Sequence, residues 1–251
     1  LILRNDPTTR ESVRVSVLPQ IYSVLRLPIA QGPAMDSLLE FLRLYVGAQP
    51  ESAPETVDEL LAALEAAKGS VSGTHLYSTV SRCIGAVCTV SDVASGNVAA
   101  KATTTLENDG AKDTDVYFAL LLLGELGRFN DFSSRAGLLD RVLRLYAADS
   151  EEVKMAAAFA VGNMAVGALP VFLPAIEQQV RAPSDDKTSS QRFLSLHALK
   201  ELITHGSAEQ LSVVAEQVWP VLFDACETKE EGVRSIGAEC LARLTLSEPT
   251  K

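Results

Sequence analysis

The chain is short of aromatic residues, of positive charge and of long apolar runs, and each shortage excludes something. Aromatics are 6% of its 251 residues, while Leu, Ala and Val dominate. That bias favours close-packed helices over sheets. Lys and Arg number 22 against 32 Asp and Glu, a net charge of −10. Nucleic acid is therefore not an expected partner, because phosphate contacts need clustered basic side chains. No stretch approaches the roughly 18–20 uninterrupted apolar residues that cross a bilayer, so no membrane role is expected. The chain opens on Leu1 without the basic region and apolar core of a signal peptide, and it stops at Lys251 just behind a helical pattern. Both ends read as cuts in a longer protein. Cysteine is scarce too: Cys83, Cys88, Cys226 and Cys240 form no C-x-x-C pair and sit in apolar helical patterns. Buried free thiols in a reducing cytosol or nucleus account for them better than disulfides.

Motifs for chemistry are equally thin. His75, His197 and His205 have no Cys or carboxylate partner at metal-ligand spacing, and no H-E-x-x-H is present. Phosphate-cradling glycine loops and the G-x-S-x-G elbow are missing. The pair Glu151-Glu152 and the run Glu227 to Glu231 lie at helix starts, where the helix dipole and solvation explain them without acid–base work. Met155 and Met164 read as packing residues, and Trp219 as core filling. The expectation is a non-enzyme with no catalytic residues, no cofactor, no metal and no small-molecule ligand.

What the sequence does have is 47% hydrophobic residues, enough to build a core and to exclude disorder as the main state. It also has internal repetition. Ile84-Gly85-Ala86-Val87, Leu123-Gly124-Glu125-Leu126, Val161-Gly162-Asn163-Met164, Leu199-Lys200-Glu201-Leu202 and Leu241-Ala242-Arg243-Leu244 follow one pattern at spacings of 39, 38, 38 and 42, with a fainter copy at Phe41-Leu42-Arg43-Leu44. Periods of about 40–47 residues belong to helical-pair solenoids of the HEAT or armadillo kind. The predicted fold is all-α, a single HEAT-repeat (ARM-like) α-α superhelical solenoid of about six helix pairs, in approximate units 1–49, 50–91, 92–129, 130–167, 168–206 and 207–251. First helices are predicted at Glu11–Arg26, Glu55–Lys68, Gly96–Glu107, Ser133–Ala147, Leu169–Arg181 and Ser207–Glu227. Second helices include Asp113–Gly127, Lys187–His205 and Lys229–Leu246, with another opening at Asp149 or Ser150. That start is a strong one: either residue caps the first turn, and Glu151 and Glu152 face the positive end of the dipole. Gly124, Gly162, Ala157 and Ala160 mark where neighbouring helices come closest. Gly47, Gly69, Gly110, Gly167 and Gly206 are expected to end helices in the left-handed conformation. Pro170 suits a first turn, while Pro19, Pro174 and Pro220 are expected to kink their helices. Ala182 to Ser190 is polar and turn-rich, an extended surface loop within a repeat.

Several phrases carry a family resemblance. Phe118-Ala-Leu-Leu-Leu-Leu-Gly-Glu-Leu-Gly127 with Asp131-Phe-Ser133, Ser150-Glu-Glu-Val-Lys154 with Ala160-Val-Gly162, Leu196-His-Ala-Leu-Lys-Glu201, and Glu230-Glu-Gly-Val-Arg234 with Ala238-Glu-Cys-Leu241 stand in order along the chain. Together they resemble the cullin-associated neddylation-dissociated (TBP-interacting) family, from about residue 19 to 246. The longer loop at 182–190 looks like a fungal-type insertion. The resemblance implies an internal HEAT-repeat piece of a non-catalytic scaffold in the ubiquitin-conjugation pathway. Such a protein binds cullin lacking the ubiquitin-like modifier, together with its RING subunit, and promotes exchange of substrate receptors and SCF complex assembly. It also implies a cytoplasmic and nuclear location. The competing reading is another HEAT scaffold, such as a nuclear-transport receptor or a phosphatase scaffold, with an acidic inner face that favours basic cargo. The piece itself is expected to be a monomer. In such a solenoid the second helices line the inner side, so the polar residues that recur after the small position, Arg43, Glu125, Asn163, Glu201 and Arg243, are the candidate protein contacts.

Overall fold

The computed structural model describes residues 6–27, 31–48, 54–68, 74–181 and 188–247, and every regular element among them is helical. In chain order these are α1 (Pro7–Ser12), a π-helical turn (Val13–Val17), α2 (Leu18–Leu25), α3 (Gly32–Gly47), α4 (Pro54–Lys68), α5 (Thr74–Cys88) and α6 (Asp92–Glu107). There follow α7 (Asp113–Gly127), α8 (Leu138–Arg144) with a 3-10 turn (Leu145–Ala147), α9 (Glu151–Gly167), α10 (Leu169–Val180), α11 (Thr188–His205), α12 (Ala208–Cys226) and α13 (Glu231–Ser247). The predicted all-α repeat of helix pairs is what forms. The contacts group into two compact units, Leu1–Lys101 and Ala102–Lys251.

In the first unit α5 is the hub, packing on α3, α4 and α2. Its buried side is Leu76, Val80, Cys83, Ile84 and Val87, and α3, packed on it, buries Met35, Leu39 and Leu42. In the second unit α7, α9, α11 and α13 pack side by side as one layer, and α8, α10 and α12 cover it as the other. α9 is the middle of this stack and is buried on nearly every side, as is α7 from Phe118 to Gly127. A helix without a continuous polar stripe has to be largely covered by others, and α9 is, except along Met155 and Phe159.

Two starts show how local chemistry sets the pairs. Ser150 caps α9 by accepting from the Val153 amide at 3.3 Å. Ser207 and Gln210 form a reciprocal capping box on α12, and the Gln210 side-chain amide donates to the Val166 carbonyl at 2.7 Å, tying the start of α12 to the end of α9.

Small residues set the spacing inside the layer. A methyl group on Gly162 would run into the Ala198 carbonyl of α11 and stand 2.7 Å from Glu201 Cβ; on Gly124 it would meet the Phe159 ring and lie 3.3 Å from Ala160 Cα. Ala157 and Ala160 are fully buried. The predicted points of closest approach are where the helices touch.

Other expectations are corrected. Gly47, Gly110, Gly167 and Gly206 do not adopt the left-handed conformation; among the described residues Gly32 (φ 54°) and Gly137 (φ 73°) do, and both lie at helix starts. Gly167 is small for a different reason: a side chain there would strike the Gly127 and Asn130 carbonyls. Gly69 and most of the 182–190 loop fall outside the described residues. Pro19 lies inside an unbroken helical run from Pro7 to Leu25. It opens α2 directly after the π-helical turn, in which the Leu18 amide reaches back to the Val13 carbonyl, and this wider turn absorbs the missing proline donor. Pro174 and Pro220 stand inside α10 and α12, where the sequence placed them. α6 starts earlier than predicted, because Ser91 Oγ accepts from the Ala94 amide at 3.3 Å. α8 is much shorter than predicted: Asp131 accepts from the Ser133 amide at 2.8 Å, and left-handed Gly137 delays the helix to Leu138. The cysteines are free thiols; three are buried but Cys226 is only half so, and burial pushes Cys88 and Cys240 up to about 12. Trp219 is also only half-buried, stacked at 5.9 Å on Phe223, which is 59% exposed.

Two alanine substitutions separate close approach from intrinsic helix preference. Gly96 lies inside α6, and a methyl group added there would have nothing within 4 Å, so Gly96→Ala should stabilise by about 0.5–1 kcal/mol. Gly162→Ala should destabilise by about 1–3 kcal/mol, because the obstacle is backbone. Denaturant midpoints measured at constant slope check both signs.

Candidate protein-binding face on the second-helix layer

The repeat pattern superimposes the helices of the second unit position by position. Tyr117, Met155, Phe193 and Ser235 share one position on α7, α9, α11 and α13. Leu121, Phe159, His197 and Glu239 share the next turn, and Glu125, Asn163, Glu201 and Arg243 the turn after. These three rows lie on the side of the layer not covered by α8, α10 and α12.

The candidate contact residues have different fates. Asn163 is fully buried and Glu125 nearly so, while Glu201 is half-buried and Arg243 exposed. Arg128, just past the end of α7, joins the first two. Its Nε donates to Asn163 Oδ1 at 2.7 Å and its Nη2 to Glu125 Oε1 at 3.3 Å, with the guanidinium 5.8 Å from the centre of the Phe159 ring. The Asn163 amide donates to the Phe159 carbonyl at 2.9 Å and reaches Glu201 Oε2 at 3.5 Å; His205 Nδ1 stands 3.7 Å from that same carboxylate oxygen. Further along, Arg243 pairs with Glu239 at 2.9 Å and donates to Thr204 Oγ1 at 3.2 Å, and Lys200 stands 3.6 Å from Glu239. The row is thus a polar ladder running from helix to helix. Arg43, in the first unit, is half-exposed and 3.6 Å from Glu40 of its own helix.

Chemically the ladder holds helices in rotation. Its buried polar groups find partners in one register of the stack, and a rotated helix would orphan them. Sequence reasoning missed Arg128, although a basic residue one turn beyond Glu125 was a readable signal. It also took Met155 for a packing residue, whereas the side chain is 38% exposed.

Above the ladder the face is apolar and half-open: Tyr117, Met155, Phe159 and Phe193, with His197 edge-on to Phe193 at 4.6 Å. At its far edge stand the helix starts, with Asp113, Glu151, Glu152 and Glu231 exposed. Glu152 is close enough to Tyr117 that its charge, after burial, helps to raise the phenol pKa. Among the described residues no group of three or more His, Cys, Asp or Glu is placed to hold a metal ion, and no helix is long and apolar enough to cross a membrane.

Stacked helix pairs with a small-residue spacer and a polar ladder define a helical-repeat protein of the HEAT and armadillo class. Designed armadillo-repeat proteins are among the similar solved structures, one at TM-score 0.41 and 18% identity over 90% of this chain and 99% of that one. No protein-family model matches the chain. The chain is 33% identical to cullin-associated NEDD8-dissociated protein 1 of Arabidopsis thaliana, over 96% of this chain and 20% of that protein. It is 29% identical to the Drosophila melanogaster protein of the same name, over 99% and 21%. A fungal relative, the C-terminal part of cullin-associated NEDD8-dissociated protein 1 of Emericella nidulans, is 37% identical over 102 residues, 40% of this chain and 9% of that protein. The chain is homologous to one stretch of the cullin-associated NEDD8-dissociated proteins, and it spans about one fifth of the length of the relatives it matches end to end.

Two substitutions test the face. Asn163→Leu strips Arg128 Nε of its acceptor in a part-buried place and should cost about 1–3 kcal/mol. His197 is held below the ordinary value of 6.5 by burial first and by Lys200 second, against an opposing pull from Glu239. As pH falls through 6.5 the unfolded chain binds this proton before the folded one does. Stability is therefore lost on acidification, and His197→Gln should flatten that part of the curve. Denaturation midpoints across a pH series, wild type against variant, check the sign.

Proposed function

We propose that this chain is a non-catalytic segment of a cullin-binding scaffold. The observation that carries the reading is colinear similarity along 96% or more of the chain to proteins named for cullin association. The half-open face of the second-helix layer supplies a surface suited to contact, with exposed Met155 and half-exposed aromatic rings beside charged helix starts. In this proposal the parent protein grips a cullin that lacks its ubiquitin-like modifier, together with the RING subunit. By holding the ligase in that state it promotes exchange of substrate receptors and assembly of SCF complexes, in cytoplasm and nucleus. The protein supplies shape and charge, and no covalent step is assigned to it.

A segment covering a fifth of such a scaffold makes only part of the contacts, and avidity multiplies when distant parts of one chain bind together. The expected outcome is that residues 1–251 are strongly helical by circular dichroism and bind an unmodified cullin–RING complex weakly. Titration calorimetry should give a Kd of roughly micromolar or weaker. Binding indistinguishable from that of an unrelated acidic helical protein would contradict the assignment to this segment. Sub-micromolar binding would overturn the distributed-contact view and place a principal hot spot within the chain.

A further inference from the structure

We infer that the half-open face of α7, α9 and α11 docks an amphipathic, basic protein segment, its apolar side chains on Met155, Phe159 and Phe193 and its Lys or Arg side chains toward Glu152. For the parent molecule of that segment the inference rests on the cullin reading above; for its chemistry it does not.

Three observations fix the occupant. The first is the apolar strip. Met155 is 38% exposed, and Phe159 and Phe193 are each partly exposed on successive helices. Their rings lie across the glycines of adjacent helices: Phe159 over Gly124 and Phe193 over Gly232, where an added methyl would stand 3.6 Å from the ring. Aromatic and thioether groups presented this way, rigid in backbone and adaptable at methionine, are the composition of binding surfaces.

The second is charge. Asp113, Glu151 and Glu231 share one repeat position at the helix starts, with Glu152 beside the second of them. Lys154 pairs with Glu151 at 2.6 Å, while Asp113, Glu152 and Glu231 are exposed and form no salt bridge among the described residues. The edge of the strip thus carries exposed, unpaired carboxylates at the starts of α7, α9 and α13, with Lys112 and Lys229 flanking the outer two, in a chain of net charge −10. An acidic partner or a nucleic acid is repelled there, and a basic one is steered in.

The third is the polar ladder on the opposite edge. Arg128, Glu125, Asn163 and Glu201 are already bonded to one another, so that side offers a wall and not a second set of charges. An occupant that is apolar along one side and basic along one edge satisfies all three, which describes an amphipathic helix or hairpin edge with Lys or Arg on its polar side.

The test uses the whole chain and two helical peptides with the same leucine face, one with lysine and one with glutamate on the polar face. Wild type is expected to bind the lysine peptide, with affinity that falls as salt rises, and not the glutamate peptide. Glu152→Lys and Met155→Glu, each confirmed folded by circular dichroism and melting, should weaken binding by about tenfold or more. Asp224→Lys, the same charge change on the exposed side of α12, should leave it unchanged. Equal binding of both peptides, no binding of the lysine peptide, or equal effects of Glu152→Lys and Asp224→Lys would overturn the proposal. An unmodified cullin–RING complex, measured in parallel, keeps the two readings apart. Cullin bound equally by wild type and Met155→Glu refutes the strip and leaves the cullin reading standing. Lysine peptide bound without cullin refutes the cullin reading for this segment and leaves the strip.

Discussion

At Gly162 the backbone of α9 lies against the carbonyl of Ala198 on α11, and at Gly124 the backbone of α7 lies against Phe159 and Ala160 of α9. Neither glycine leaves room for a side chain of its own, because the Ala198 carbonyl fills that space at Gly162 and the Phe159 ring fills it at Gly124, and the rest of the second unit is arranged around these points. Helices this close have one rotational setting, since any turn of α9 about its axis would bring a Cβ into the neighbour's backbone. That setting directs Val153, Ala157 and Met164 into the core and leaves Met155 and Phe159 on the open side. The outer helices α8, α10 and α12 then settle on the remaining apolar surface of the layer.

The polar ladder is the second consequence of that spacing. Asn163, Glu125 and Arg128 are costly groups to bury, and their hydrogen bonds return roughly what desolvation takes. Net stabilisation is thus a poor explanation for their presence. Their geometry explains more: Arg128 Nε meets Asn163 Oδ1 across two helices, 35 positions apart in sequence, only if those helices pack in register. A slipped pairing leaves a guanidinium and an amide unsatisfied, so the ladder penalises wrong stackings in an array whose repeats resemble one another closely enough to exchange partners.

Much of this was legible in the sequence, for identifiable reasons. α7 begins and ends where the pattern from Asp113 to Gly127 placed it, because an acidic first turn and a closing glycine bracket an unbroken apolar run. Ser150 announced the cap of α9, and Gly162 and Ala160 announced the contact. The failures share a cause. Glu125 and Asn163 carry polar side chains and were assigned to a contact surface, yet their burial depends on Arg128 and on the next helix, neither of which periodicity reports. α8 is short because a side chain, Asp131, captured a backbone amide and a left-handed glycine followed it. Hydrophobic patterning is blind to both. Glycine at Gly167 looked like a helix terminator and proved to be a spacer, since one residue type answers both needs.

If close approach at Gly124 and Gly162 is what the second unit depends on, α9 should be its most stable element. Native-state hydrogen exchange resolved by residue measures this directly. The account predicts that amides from Ala156 to Met164 exchange more slowly than those of any other helix in the unit, and that those of α7 and α11 lose protection together with them as denaturant rises. Exchange from α9 as fast as from α12 or α13, or opening of α9 while α7 and α11 stay protected, would contradict it.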